Sequence, residues 1–248
     1  MIILSILFLI TAILYSSVGF GGGSTYLALL LIWDIPYYIF PVIALICNII
    51  VVSGNSFNYI KSGNHNFKLL IPFLISSLPF AFLGGTLSIN KEIFEVLLFF
   101  VLSIAGILLL ISNKSYEDKD IIIKKISFFL SLVLGSILGL ISGIVGIGGG
   151  IFLSPILFLL KAERPKVIAT TASLFILINS ISGILGQLTK NSVIIEIVSY
   201  WPLLVCVLIG GFFGNFINLK IFSNRMLAII TSLLVIFVAI RMSYRIFL

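Results

Sequence analysis

Two short glycine-rich segments are the part of this chain best suited to do chemistry. The sequence VGFGGG at 18–23 returns 127 residues later as VGIGGG at 145–150, and both copies interrupt long apolar runs. Glycine adopts left-handed backbone conformations without steric cost and lets a ligand approach the backbone closely. A helix that restarts after such a break presents free N–H groups and the positive end of its dipole, which favour an anion by about 0.3–1 kcal/mol per exposed helix end. These segments therefore predict anion binding by the backbone at two matched places.

Polar side chains inside the apolar runs extend this predicted site. The second and sixth apolar runs carry most of these amides and hydroxyls, and such groups at membrane depth either bond neighbouring helices or line a polar path. Bonding between helices is the simpler interpretation for any single hydroxyl, but the clustering in both halves favours a substrate-binding role. The predicted substrate-binding residues are Gly19, Gly21, Gly22, Gly23, Ser24, Asn48, Gly146, Gly148, Gly149, Gly150, Thr170, Thr171 and Ser173.

The composition is that of an integral membrane protein. Apolar residues make up 60% of the 248 residues, charged residues only 9%, and the mean hydropathy is +1.31. Soluble domains carry roughly 25% charged residues, so a soluble enzyme is excluded as an interpretation. The net charge of +7 is spread over short loops, which is typical of orientation in a lipid bilayer and not of a nucleic-acid interface.

The helices that must position the site are predicted from the apolar runs. Eight helical segments are expected, and the glycine breaks fall in the first and the fifth. The segments cover 2–32, 38–60, 67–89, 93–112, 126–160, 166–189, 193–219 and 225–246. A polar linker at 113–125 divides the chain into a first membrane repeat, 1–112, and a second, 126–248.

The two halves match beyond the glycine breaks. Residues 41–44 parallel 165–169, and the glycine pair at 84–85 parallels the pair at 210–211, in the same order along the chain. If each broken segment turns back at its glycines, 11 of the 15 Lys and Arg residues fall on one side of the membrane. If each broken segment crosses once, the larger group has only 9. The positive-inside rule favours the first arrangement, which predicts two inverted repeats, each with a re-entrant, glycine-broken first helix followed by three transmembrane helices.

The sequence lacks the residues that several other classes of function require. No Asp, Glu, Lys, Arg or His lies deep in an apolar run, which disfavours a proton relay. Neither copy of the glycine motif has the third glycine of a dinucleotide-binding fingerprint. The sequence offers no Walker motif, metal-spaced His/Cys cluster or catalytic triad, so we expect no catalytic residue, metal or cofactor. The patterns Gly135-x3-Gly139-x3-Gly143 and Gly210-x3-Gly214 predict close helix packing.

The motifs together resemble the sulfite exporter TauE/SafE family. The resemblance covers nearly the whole chain and is carried by the two VGxGGG copies, IFLSPIL at 151–157, ATTASL at 169–174, and the glycine pairs at 84–85 and 210–211. The first half departs from the pattern, because 24–28 lacks the proline that Pro155 supplies in the second. The resemblance implies a multi-pass permease of the bacterial cytoplasmic membrane for small sulfur-containing anions such as sulfite, sulfonates or sulfoacetate.

Three hypotheses for the function remain open at this stage. The leading one is a secondary transporter that exports a small sulfur oxyanion by alternating access around the glycine breaks. The second is an anion channel without alternating access, and the third is a membrane accessory subunit with no transport of its own. The sequence leaves the transport direction, the coupling ion and assembly as a homo-oligomer undecided.

Overall fold

The structure is a computed structural model that describes residues 1–17, 20–112, 123–190, 196–217 and 224–247. Within those ranges the protein is all-helical and contains no β-strand. The α-helices are α1 (Ile2–Ser16), α2 (Gly23–Ile32), α3 (Phe40–Lys61), α4 (Phe67–Thr86), α5 (Lys91–Ser112), α6 (Phe128–Val145), α7 (Gly150–Leu159), α8 (Pro165–Gln187), α9 (Trp201–Ile217) and α10 (Asn224–Phe247). Short 3-10 turns, Tyr37–Ile39 and Val198–Tyr200, precede α3 and α9.

Six helices within the described residues are long and apolar enough to cross a membrane. They are α3, α4, α5, α6, α8 and α9, three of them on each side of the linker. Large apolar side chains such as Phe129 and Phe212 are exposed on the outer faces, which suits contact with lipid. The prediction of an all-α, multi-pass membrane protein is confirmed.

The helices break at the predicted glycines. Gly22 and Gly149, 127 residues apart, are the N-cap residues of α2 and α7, with left-handed φ angles of 78° and 74°. Neither N-cap has a side-chain hydrogen bond. Both following helices have 10 residues, which gives about 15 Å of length, half of a bilayer core of about 30 Å.

Proline sets the start of three helices more sharply than the apolar runs predict. Pro41, Pro165 and Pro202 each lie in the first turn of α3, α8 or α9, where the missing N–H is not needed for a helical bond. The seventh segment was predicted to begin at 193, but α9 begins at Trp201 after a 3-10 turn. The segment at 191–195 lies outside the described residues.

Glycine stripes hold pairs of helices together as predicted. On α6, a Cβ at Gly139 or Gly143 would strike the carbonyl oxygen of Ser77 or Ala81 on α4. The residue numbers rise together on the two facing helices, so α4 and α6 run parallel. Packing this close is possible only without side chains at the contact.

The same contact recurs between α1 and α9. A Cβ at Gly210 or Gly214 of α9 would meet the carbonyl oxygen of Leu9 or Ile13 of α1, and here too the numbers rise together. The predicted packing role of both glycine patterns is therefore confirmed. In each pair, one helix comes from the first half of the chain and one from the second.

The two long helices α3 and α8 cross at the centre of the bundle in opposite directions. Near one end of the crossing, the hydroxyl oxygens of Ser56 and Ser173 lie 3.0 Å apart. Near the other end, a Cβ at Gly183 would lie 3.2 Å from a methyl carbon of Leu45. Since the numbers rise on one helix as they fall on the other, α3 and α8 are antiparallel.

Each of these central helices also packs in parallel on a second partner. Asn58 of α3 donates a hydrogen bond to the amide oxygen of Asn215 on α9 at 2.8 Å, and Gly211, one turn earlier, faces Ile50. In the same way, Ser182 of α8 donates to a main-chain carbonyl of α4 at 2.7 Å. The contacts in one half of the bundle thus have counterparts in the other. Helices α1 and α3 both pack on α9, and in the same way α6 and α8 both pack on α4.

Candidate functional site

The two glycine breaks meet around the side chain of Asn48. A Cβ built on Gly21 would lie 2.5 Å from Asn48 Oδ1, one on Gly23 would lie 2.8 Å from Nδ2, and one on Gly148 would lie 2.7 Å from Nδ2. The Asn48 amide therefore occupies the space that side chains at these three positions would need. A Cβ on Gly23 would also lie 2.9 Å from the carbonyl oxygen of Ile147, so the breaks touch each other. We call this place, formed by Gly21–Gly23, Gly146–Gly150 and Asn48, the glycine junction.

The Asn48 amide is fully buried and only partly satisfied. Its Nδ2 donates to the carbonyl oxygen of Gly146 over a long 3.5 Å. Its Oδ1 has no hydrogen-bond partner among the described residues. Leaving a buried acceptor without a partner costs about 1–3 kcal/mol, and a buried group of this kind calls for a functional or solvent partner.

The helix starts at the glycine junction supply hydrogen-bond donors. In α2 the N–H groups of Thr25 and Tyr26 both donate to the carbonyl of Gly22 at 3.0 Å, and in α7 the carbonyl of Gly149 accepts the corresponding pair. The N–H groups that precede these donors in each helix have no acceptor within the helix. Two helix N-termini therefore give the junction a positive character without a cationic side chain among its residues.

The space at the glycine junction is small. A cavity of about 20 Å³ lies between the breaks, which is enough for about one water molecule. It is lined by Tyr15, Phe20, Gly21, Gly22, Gly23, Ser24, Ile147, Ile151 and Ile176. A larger ligand can enter only if the helices around the junction move apart.

Most of the predicted site residues come together here. Gly21, Gly22, Gly23, Gly146, Gly148, Gly149, Gly150 and Asn48 form the junction, and Ser24 lines its cavity. Gly22, Gly146, Gly148 and Gly149 have positive φ, as expected of glycines that break a helix. Gly19 lies outside the described residues.

The three predicted hydroxyl residues of α8 form hydrogen bonds with partners outside the glycine junction. Thr170 and Thr171 donate to main-chain carbonyls one turn earlier in α8, at 2.9 and 2.8 Å. Ser173 is paired with Ser56 on α3. Their membership of the site stays a prediction.

Three residues of α8 that reach the glycine junction were not among the predicted site residues. A Cβ on Gly148 would lie 2.9 Å from Ile176 and 3.2 Å from the hydroxyl oxygen of Ser180, and one on Gly150 would lie 3.1 Å from the carbonyl of Ala172. These three positions on α8 are spaced by four and lie on one face of the helix. The Ser180 hydroxyl is buried with no partner among the described residues.

A larger cavity lies near one end of the bundle, and Pro41 stands between it and the glycine junction. It has a volume of about 450 Å³ and is lined by Tyr37, Tyr38, Pro41, Leu87, Ser88, Ile89, Phe94, Ile144, Gln187, Lys190 and Glu196. Pro41 also backs the junction, because a Cβ on Gly146 would lie 2.6 Å from its carbonyl oxygen. We call this space the Lys190 cavity.

A helical bundle in which two broken helices meet at a buried polar site is typical of membrane transporters. The sequence profile of the family described as sulfite exporter TauE/SafE matches residues 4–242. The chain therefore belongs to this family, as the motifs indicated.

Two curated relatives carry names that agree with a transporter. The chain is 26% identical over 232 residues, 93% of each chain, to a probable membrane transporter protein, y4hK, of Sinorhizobium fredii. It is 32% identical over 202 residues, 74% of this chain and 70% of the relative, to a probable membrane transporter protein, MJ0441, of Methanocaldococcus jannaschii. No solved structure matches the chain.

Proposed function

We propose that this protein is a secondary transporter, a permease or exporter, for small sulfur-containing anions such as sulfite or organosulfonates. The observation that carries the proposal is the meeting of two uncapped helix starts around the Asn48 amide. The family's description as sulfite exporters supports sulfur oxyanions as the substrate class. A bacterial cytoplasmic membrane is the location that follows from the family resemblance.

The proposed architecture is a pair of inverted repeats with a re-entrant hairpin in each. Its first support is the antiparallel crossing of α3 and α8, which occupy matching places in the two halves. Its second support is that α1 and α3 each run parallel to α9. If α1 and α3 point the same way, the chain between them must turn back, and α2 makes that return.

The proposed substrate site is the glycine junction. The free N–H groups at the starts of α2 and α7 would hold the anion, with Ser24 and Asn48 beside them. Gly19, Thr170, Thr171 and Ser173 are the further members that the sequence predicts. An inside-negative potential is worth about 2.3 kcal/mol per charge per 100 mV, so efflux of an anion would run downhill without a proton relay.

The small size of the junction cavity favours a transporter over an open channel. An oxyanion does not fit into about 20 Å³ without movement of the surrounding helices. Alternating access by one set of helices moving against the other would provide that movement. A channel would instead show single-channel conductance far above a transporter turnover, and an accessory subunit would show no flux as a pure protein.

The test is flux of sulfite and of methanesulfonate into proteoliposomes that contain the purified protein. Gly149→Leu should abolish flux, because Gly149 has a φ of 74° and a Cβ there would lie 2.8 Å from the ring of Phe175. Gly63→Leu is the matched control, because Gly63 has a φ of 73° but no atom within 4 Å of the position of its Cβ. Full flux in a folded Gly149→Leu protein contradicts the site, and absence of flux in the unmodified protein contradicts the function.

A further inference from the structure

The Lys190 cavity contains a positive charge, and the two groups that accept hydrogen bonds from it are neutral. Lys190 is half-buried just after the end of α8, and its Nζ donates to the carbonyl of Leu87 at 2.6 Å and to Gln187 Oε1 at 3.0 Å. Among the described residues, no carboxylate lies within ion-pair distance of Lys190, while Lys91, at the same end of the bundle, pairs with Glu95. Burial lowers the pKa of Lys190, because partial removal from water disfavours the charged ammonium.

The carboxylate that shares this cavity has a donor of its own. The hydroxyl of Tyr38 donates to Glu196 Oε2 at 2.5 Å. A carboxylate with such a partner has part of its charge stabilised already. The ammonium of Lys190, whose two acceptors are neutral, is the group in the cavity with which a bound anion can pair.

Gln187 connects Lys190 to the glycine junction. Its Oε1 accepts from Lys190, and its Nε2 donates to the carbonyl of Gly143 at 2.8 Å. Gly143 lies three residues before the second glycine break, and Pro41 separates the cavity from Gly146. An ion held by Lys190 would lie on the far side of Pro41 from Gly146, in a space of about 450 Å³ that is wide enough for a small oxyanion.

We propose that the Lys190 cavity is a second anion site, which captures a small oxyanion before it enters the glycine junction or after it leaves. The cation of Lys190 holds the anion, and Gln187 fixes the Lys190 ammonium against the end of α8. The identity of the ion as transported substrate rests on the proposed function, whereas its binding in the cavity does not.

The first experiment measures initial rates of sulfite flux in proteoliposomes over a range of concentrations. Lys190→Met should raise KM about tenfold, the loss expected for one hydrogen bond to a charged group, and should leave kcat within about twofold. Lys190→Arg should keep KM near that of the unmodified protein. Lys91→Met, which removes an already paired charge from the same end of the bundle, should leave both parameters unchanged. An unchanged KM in a transporting Lys190→Met protein overturns the proposal.

The second experiment is independent of transport. Sulfate and sulfite are titrated onto the purified protein in nanodiscs, and the melting temperature is recorded, because a ligand that prefers the folded state raises it. The proposal expects a shift in the unmodified protein, an equal or larger shift in Glu196→Gln, and a clearly smaller shift in Lys190→Met. A full shift of the melting temperature in Lys190→Met overturns the proposal, and so does an absence of any shift in the unmodified protein.

If Glu196→Gln removes the shift instead, the cavity does not recognise the anion through Lys190. A lack of flux with a Lys190-dependent shift contradicts the transporter and leaves the second site standing.

Discussion

The hydroxyl oxygen of Tyr15 near the end of α1 lies 2.8 Å from that of Thr25 in the first turn of α2. Both side chains are buried, and the first glycine break lies between them along the chain. The ring of Phe8 on α1 packs against that of Tyr26 on α2, with centroids 4.8 Å apart. These contacts hold α1 against α2 and keep the start of α2 at the glycine junction.

Removing the Tyr15 hydroxyl should loosen the contact between α1 and α2. We expect Tyr15→Phe to lower the free energy of unfolding by about 0.5–1.5 kcal/mol, the net value of a typical hydrogen bond. Thr25→Val should cost a similar amount, and the double variant should cost less than the sum, because the two hydroxyls satisfy each other. Thermal unfolding of the four proteins in one detergent measures this, and additive losses would mean that the pair contributes nothing.

Two adjacent glycines of α9 should respond differently to the same substitution. Gly210→Ala places a Cβ 2.5 Å from the carbonyl oxygen of Leu9 on α1, whereas at Gly211 the nearest atom is 3.7 Å away. We expect Gly210→Ala to destabilise the protein by about 1–3 kcal/mol through overpacking. Gly211→Ala should be neutral or stabilising, because alanine favours a helix by about 1 kcal/mol. Melting temperatures in the reverse order would show that α1 does not pack on α9 in this register.

The helix breaks could be predicted from the sequence because three consecutive glycines have no good role inside a helix. Asn48 could be predicted because an amide in a transmembrane run needs a partner. The packing glycines could be predicted as well, because they recur every four residues and so lie on one face of the helix. All of these signals are local in the sequence and depend little on how the helices are arranged.

The facing residues of α8 could not be predicted in the same way. Polarity favours Thr170, Thr171 and Ser173, but the face that reaches the junction carries Ile176 and Ser180. That face is set by the rotation of α8 against α3 and α4, which depends on distant contacts such as Leu45 with Gly183. The Lys190 cavity is hidden for the same reason, because Tyr38 and Glu196 are 158 residues apart along the chain.

Asn48→Leu should separate stability from transport. The substitution removes a buried acceptor that lacks a partner among the described residues, so the free energy of unfolding should stay equal or rise. Flux of sulfite should nevertheless fall at least about tenfold, since the anion would lose the hydrogen bond that Asn48 Nδ2 can donate to it.

Asn179→Leu is the matched control for this substitution. Asn179 is also fully buried, its Nδ2 donates to the carbonyl of Phe175 at 2.9 Å, and its Oδ1 likewise has no partner among the described residues. The free energy of unfolding of the Asn179→Leu protein should change in the same direction as that of the Asn48→Leu protein. Its flux of sulfite should equal that of the unmodified protein. Equal losses of flux in both variants would assign the effect of Asn48 to general packing.

The re-entrant hairpin predicts the side of the membrane on which three positions lie. If α1 enters and α2 returns, Ile3 and Thr189 lie on one side and Gly63 on the other. If the first segment crosses once, Ile3 lies on the same side as Gly63.

Single cysteines at these positions can be labelled in intact cells with a membrane-impermeant maleimide, in a protein whose Cys47 and Cys206 are replaced by alanine. We expect Ile3→Cys and Thr189→Cys to react from outside and Gly63→Cys to react only after lysis, because the loops with most Lys and Arg remain inside. Labelling of Ile3→Cys only after lysis would contradict the hairpin.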